Sequence, residues 1–456
     1  MKWVFLAFLA VYTPLLAGWL RTNPKHAPKV WGLLGFLPFV LGPWNLYVAP
    51  ISWAHWPGFV RGMEVSLLDA VALAVLVSMP HRTRLPLKLP FILYIAAVLL
   101  SVLMADVPMA SFFYAWQLLR VFLLFAAAAA VCQDDRGPVA IVTGAILGLV
   151  YQAVLALSDS FSGVLQAGGG FGHQNLLGMM SYLVTFPALA LLLAGHRGWI
   201  PQLGVVAGIA VAIVTASRAT IGLVGVGLVI LFALSVIRRP TSRKAGLALA
   251  GVLALAAATP LALNSLDRRF AEAPLPGDYD ERAAFEKAAG LIIDDHPLGV
   301  GANQYVTVVN VDGYSDRAGV IPAPGSRSAH VHNAYLLAAA ETGYLGLLAF
   351  MALIAAPIFV AFRAASRQRK DPRGDLLVGL GFSLAVVAVH SLYEWVFVTF
   401  QTQYMFAIIS GLIVGMARQL GFWGAGTAAK ARRPRNAEPV PTQPIATRAF
   451  PAAEAE

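Results

Sequence analysis

The sequence predicts an all-α polytopic membrane protein with twelve or thirteen transmembrane helices and one large, partly helical loop outside the membrane. Three observations carry this prediction. Hydrophobic residues make up 58% of the 456 residues and charged residues only 12%, against about 25% charged in soluble domains. Apolar runs of about 20 residues, enough to cross a hydrocarbon core, recur along the chain. Lys and Arg collect in alternate gaps between those runs, as they do on the cytoplasmic face of a membrane protein.

In order, the apolar runs fall near 3–20, 31–50, 65–79, 89–104, 112–132, 139–157, 175–194, 200–216, 219–237, 245–263, 334–362, 376–395 and 398–417. The first lacks a clear small-residue cleavage site and reads as a retained helix, not a signal peptide. The second contains Pro38, Gly42 and Pro43, which can break a helix, so twelve spans are as acceptable as thirteen. Segments 21–29, 80–88, 133–138, 195–198, 238–244, 363–373 and the tail from 418 hold 23 of the 33 Lys and Arg residues. These alternate gaps define a cytoplasmic face, with the N-terminus outside if there are thirteen spans. The net charge of +10 is therefore a topology signal, and no nucleic-acid partner is expected. One cysteine, Cys132, excludes an intrachain disulfide or a cysteine-based metal cluster.

The organisation that follows is ten helices over 1–263, an external loop over 264–333, the last helices over 334–417 and a basic, Pro/Ala-rich cytoplasmic tail over 418–456. The tail composition suits disorder, and Lys430, Arg432, Arg433 and Arg435 are placed to meet the inner leaflet. The loop contains a helical pattern near 281–293. Phe285, Ala288, Ala289 and Ile292 recur at helical spacing, Asp278, Asp280 and Glu281 suit the N-terminus, and Pro297 ends the pattern. Arg282, three residues before Phe285, is expected on the same apolar face, where an arginine needs an anion or a wet cavity. Glu286, one turn on, is the plain ion-pair partner.

The chemistry-bearing residues lie on the outer side. His330-Val331-His332-Asn333 ends the loop just before a long helix. A histidine there faces the positive end of the helix dipole, which favours the neutral imidazole a general base needs. Two further readings stand beside it: a hydrogen-bonded structural His332, and a metal site completed by Asp294, Asp295 or His296, whose spacing matches no familiar zinc motif. Arg218 occupies the turn Thr215-Ala216-Ser217-Arg218-Ala219-Thr220 between two apolar runs. It is either a snorkelling interface arginine or a functional cation. Arg120 lies inside a span, with Asp69 or Glu64 as partner. Gly168-Gly169-Gly170-Phe171-Gly172-His173-Gln174-Asn175 precedes another helix. It is either a phosphate-binding helix start or a flexible loop with Asn175 as cap. Gly299-Val300-Gly301-Ala302-Asn303-Gln304 lacks the third glycine and the strand–helix setting of a dinucleotide site. Two arginines suit bidentate grips on a diphosphate, and a membrane site of this kind suits a lipid diphosphate donor and a hydroxyl acceptor.

With these residues in place, the chain resembles the bacterial O-antigen ligase and polymerase family of polytopic membrane glycosyltransferases. The resemblance rests on His332-Asn333, nine residues, then Gly343-Tyr344-Leu345-Gly346. Ser217-Arg218, Phe171 to Asn175 and His296-Pro297-Leu298-Gly299-Val300-Gly301 support it. The resemblance implies a GT-C-type fold in the bacterial inner membrane with the active site facing the periplasm. It implies an undecaprenyl-diphosphate-linked glycan donor, a lipid A–core acceptor, no cofactor and no metal. By resemblance, His332, Arg218 and Arg282 are catalytic, with His173, Asn175, His330 and Asn333 joining the arginines in substrate binding. The position four residues after Arg218 is Gly222, where the family often has Leu. A polymerase of the same family is the alternative, and a transporter or lipid flippase is the competing reading from another class. Charges gathered on one side, with no internal repeat, speak against transport.

Overall fold

The computed structural model describes residues 2–80, 84–272 and 280–423. The chain opens with α1 (Lys2–Thr22) and α2 (Ala27–Val40), followed by an antiparallel hairpin of β1 (Tyr47–Ser52) and β2 (Gly62–Ser66). Helices α3 (Leu67–Ser78), α4 (Lys88–Ser101), α5 (Pro108–Val131), α6 (Gly137–Phe161), α7 (Gln174–Ala194), α8 (Trp199–Val214), α9 (Arg218–Arg238) and α10 (Ser242–Glu272) follow. Four loop helices come next: α11 (Glu281–Asp295), α12 (Tyr305–Val311), α13 (Tyr314–Ala318) and α14 (Pro324–Arg327). The chain ends its described part with α15 (Ala334–Arg367), α16 (Arg373–His390) and α17 (Phe400–Gln419). Among the described residues, nine helices are long and apolar enough to cross a membrane, and α2, α3, α4 and α8 are shorter apolar helices. The protein is an all-α polytopic membrane protein.

The apolar run 31–50 is not one span. The helix ends at Val40, Pro43 has no amide proton to continue it, and Asn45 turns the chain with φ 51°. The rest becomes β1, pairing from Tyr47 opposite Ser66 to Ser52 opposite Gly62. Ser66 then caps α3 through a reciprocal bond with Asp69. Arg120 of α5 joins this corner, with Nε 2.9 Å from Asp69 Oδ2 and Nη1 3.4 Å from Glu64 Oε2.

Helices α5, α7, α16 and α17 form the buried centre, and α1 and α10 lie at the margin with most of their surface exposed. Small residues set the close crossings, as they must where lipid gives no hydrophobic advantage to helix association. A Cβ on Gly144 of α6 would lie 1.8 Å from the Gly32 carbonyl of α2, and one on Gly411 of α17 would lie 2.4 Å from the Phe125 carbonyl of α5.

The loop 280–333 has a second core of its own. Phe285, Ile292, Tyr305, Val306, Val309 and Tyr314 pack with Val331, Leu337 and Ala340. This core is fastened to α15 where that helix breaks. Gly343 takes φ 66°, ψ −175°, and a Cβ there would lie 2.5 Å from the Leu298 backbone. The loop backbone fills the broken ladder: Val300 and Gly301 donate to the Ala340 and Glu341 carbonyls, and Tyr344 donates to Pro297. The glycine of the His-to-Gly spacing is thus where the loop docks on a membrane helix. Helix α10 runs to Glu272. Asp278 and the tail beyond 423, with Lys430, Arg432, Arg433 and Arg435, lie outside the described residues.

Hydrogen bonds divide the polar segments between two ends of the bundle. The hairpin joins the loop 280–333 through Val60 and Asn303. The start of α7, the loop and the segment after α16 meet at Glu394. At the other end, Arg243 reaches the carbonyls of Gly195 and His196, and Arg373 pairs with Asp135.

Candidate functional site

Helix α16 stops at His390, and the next residues wind back under it: Ser391 donates to Val387 and Tyr393 to His390. That return points Glu394 inward, where its side chain is 1% exposed. Three segments distant in sequence converge on its Oε1. Asn175 Nδ2 from α7 donates to it. Arg282 from α11 lies 3.4 Å away, and His332 Nδ1 lies 3.2 Å away. Oε2 is buried with no hydrogen-bond partner among the described residues. Burial by itself would raise the pKa of Glu394, but the hydrogen bond and charge of His332, with Arg282 beyond, hold it below the ordinary carboxylate range. The site is built on an ionised carboxylate.

His332 is 23% exposed and stacks on Phe285, with ring centroids 5.9 Å apart and planes at 24°. With Nδ1 donating to the ionised Glu394, Nε2 is the nitrogen left to accept a proton. Asn333 holds this geometry from below. It is the N-cap of α15, its Oδ1 accepting from Tyr335 N at 3.0 Å and Leu336 N at 3.2 Å.

Arg282 departs from its expected place. It does not share the buried face of α11, which is Ala284, Phe285, Ala288, Ala289, Ile292 and Ile293. Its side chain is 55% exposed and its partner is Glu394, not Glu286. In the first turn of a helix, a long side chain reaches past the margin of the apolar stripe. Asp280 caps that turn. Arg218 is exposed at the start of α9, after the N-cap Ser217. Arg218 and Arg282 both come close enough to Arg269 of α10 to repel it electrostatically. The two arginines named from sequence therefore share one corner of the molecule.

The cap of α7 is His173, not Asn175, with Nδ1 accepting from Leu176 N at 3.3 Å. The amides of Gly169 and Gly170 are engaged by Asp159 and Gln152. His173 packs edge-on against Trp395. Burial lowers its pKa, against the pull of Glu394. His330 is a correction: it is buried, stacked 4.3 Å from Trp395 and next to Tyr305 and Phe59. Burial, helped by the His332 charge, pushes its pKa down to about 3. A neutral ring in an aromatic stack has no surface to give a substrate; it supports the wall behind Trp395. His296 turns to the Tyr314 hydroxyl at 3.0 Å and Asp295 to Arg317 at 3.1 Å, so neither converges on His332.

From the sequence, Glu394 stands with Glu341 as an acid in or near a span, with no role assigned. Its only signal was an acidic residue at the end of the apolar run 376–395. An ionised carboxylate behind an imidazole, with guanidinium groups alongside, can accept a proton and bind an anion.

A family model described as O-antigen ligase matches residues 203–351. That third of the chain contains Arg218, Arg282, His332 and the break at Gly343, and the match supports the family resemblance read from the sequence. Asn175 and Glu394 lie outside it. No curated protein matches the chain.

Proposed function

We propose, from residues 203–351 matching the O-antigen ligase family, that the protein transfers a glycan from undecaprenyl diphosphate to a lipid A–core hydroxyl at the periplasmic face of a bacterial inner membrane. Members of the family are glycosyltransferase-like enzymes acting on lipid-linked glycans. The observation that carries the reading is His332 braced by the buried Glu394 beside Arg282. In the reaction, the acceptor hydroxyl gives its proton to His332 Nε2 as its oxygen attacks the anomeric carbon. The bond from that carbon to the diphosphate oxygen breaks, its electron pair leaves with the diphosphate, and the anomeric centre inverts. Glu394 orients the imidazole and stabilises the imidazolium that forms. Arg218 and Arg282 neutralise charge growing on the leaving diphosphate, an electrostatic gain that rises toward the transition state. No step requires a metal.

The test is glycan transfer by the purified protein in detergent with EDTA present. Undecaprenyl-diphosphate oligosaccharide is incubated with lipid A–core, using wild type and His332→Ala. The expected result is ligated product from wild type and a loss of about 10²–10⁴-fold in the variant. If the lipid-linked donor lengthens itself instead, the protein is a polymerase of the same family. If neither product forms, the transferase reading fails and uptake in vesicles becomes the next assay.

A further inference from the structure

At the end of the bundle away from Glu394, four helix ends enclose a cavity of about 340 Å³. They are the starts of α6 and α16 and the ends of α7 and α17. Pockets that hold small molecules begin at roughly 300 Å³, and the helix ends of a membrane-spanning bundle stand at the level of the lipid head groups. The lining is mixed. Val139, Leu376 and Met416 are apolar, and Asp135, Arg373 and Gln419 are polar. Arg373 Nη2 is taken by Asp371 at 2.8 Å, whereas Nη1 stands 3.6 Å from Asp135 Oδ1, beyond hydrogen-bond distance. Gln419 steadies Asp135 from the end of α17, donating to Oδ1 at 3.2 Å. The Asp135 side chain is 73% exposed and that of Arg373 43%, so both can turn to a ligand. Arg243 stands behind two further lining residues, donating to the carbonyls of Gly195 and His196. Two carboxylates, Asp135 and Asp371, thus face two guanidinium groups, Arg373 and Arg243, and these four charges balance.

An anion in this cavity would set its charge against Asp135, and a cation would set its charge against Arg373. A zwitterion meets both. Its phosphate would take Arg373 Nη1 and its ammonium would take Asp135, exchanging the loose 3.6 Å pair for two charge-assisted hydrogen bonds. Free phosphoethanolamine carries the same two charges, but the apolar lining suits the glycerol and acyl part of a lipid. We propose that this cavity binds the head group of a zwitterionic phospholipid with a primary ammonium, a phosphatidylethanolamine. The site is separate from the one around Glu394, and it stands whether or not the function proposed above is correct.

The test titrates the delipidated full chain in detergent micelles and reads the rise of its thermal midpoint. The probes are a short-chain phosphatidylethanolamine, a phosphatidylglycerol with the same acyl chains, and free phosphoethanolamine. Wild type, Asp135→Asn and Arg373→Gln are compared. The ratio of affinities is read within each variant, so a variant that is merely less stable leaves it unchanged. Wild type is expected to bind phosphatidylethanolamine about fivefold more tightly than phosphatidylglycerol, with no response to phosphoethanolamine over the same range. Asp135→Asn removes the partner of the ammonium and should bring the two lipids within about twofold. Arg373→Gln removes the partner of the phosphate and should weaken both lipids by about fivefold. Equal affinities in wild type overturn the proposal, as does a preference that survives Asp135→Asn or lipid binding unchanged by Arg373→Gln. Phosphoethanolamine binding as tightly as the lipid also overturns it, because the apolar lining would then play no part.

Discussion

Asp375, in the first turn of α16, and Glu394, just beyond its last turn, are both sealed from solvent, with side chains 0% and 1% exposed. Their surroundings differ in one respect. The cations around Asp375 are themselves mostly buried. Arg238 lies 2.9 Å away and is 6% exposed, Lys244 lies 3.3 Å away and is 2% exposed, Arg239 adds a third contact, and the Ser235 hydroxyl donates at 2.8 Å. Arg238 also donates to the carbonyls of Gln368, Arg369 and Asp371, closing the end of α15. Around Glu394 the cation is 55% exposed, the imidazole 23% exposed, and one carboxylate oxygen makes no bond among the described residues. The first cluster is a joint between helices, with its carboxylate and the cations nearest to it sealed inside the protein. The second faces outward with cations accessible to a ligand. Burial of a carboxylate alone does not distinguish a joint from a site; the exposure of its partners does.

The largest expected effect in stability falls on the closed cluster. Asp375→Ala leaves Arg238 and Lys244 buried without their carboxylate, which should cost about 3–5 kcal/mol. Loss of the monodisperse peak on size-exclusion chromatography at temperatures where wild type survives would show it. A variant as stable as wild type would mean that the three cations find water, and the contrast between the two ends would dissolve.

Much of the fold was legible because the rule behind it is local. Backbone polar groups in lipid must be satisfied within a helix, so apolar runs mark helices without reference to their neighbours. The exceptions come from pairings remote in sequence. Pro38, Gly42 and Pro43 signalled a break, but nothing near 47–52 shows that it will pair with 62–66. His332, Arg218 and Arg282 were visible as unusual charges beside apolar runs. Glu394 was visible only as an acid in or near a span without a role, because its role lies in meeting residues 175, 282 and 332 at once. The same limit misplaced Arg282: helical spacing gave its row on α11, not how far its side chain travels. His330 and His332 looked equivalent in sequence, yet one is sealed by Trp395 and the other opens to the site.

That last difference predicts a pH effect of intermediate size. His330 has a pKa of about 3 in the folded protein against an ordinary 6.5. The unfolded chain therefore binds the extra proton first, and stability is lost as pH falls below 6.5 toward 3. Between pH 6.5 and pH 5 the loss from this group should be about 2 kcal/mol. His330→Phe, which keeps a ring in the stack, should flatten the fall of the thermal midpoint over that interval. Equal slopes in both proteins would place a charged His330 in the fold. The smallest effect should come from Asn333→Ala, which removes the cap of α15 and should cost about 1 kcal/mol. A drop in the thermal midpoint of a few degrees, with His332→Ala showing none, would separate the cap from the imidazole it presents.

The most direct test of the contrast between the two carboxylates is Glu394→Gln, assayed for glycan transfer and for thermal midpoint in the same detergent preparation. Glutamine keeps the shape and the acceptor for Asn175 and removes the charge behind His332. A rate lowered by about 10²-fold or more, with a midpoint close to wild type, is the predicted result. A variant that transfers at the wild-type rate, or one that unfolds as Asp375→Ala is expected to, would make Glu394 a structural carboxylate like its counterpart at the other end of α16.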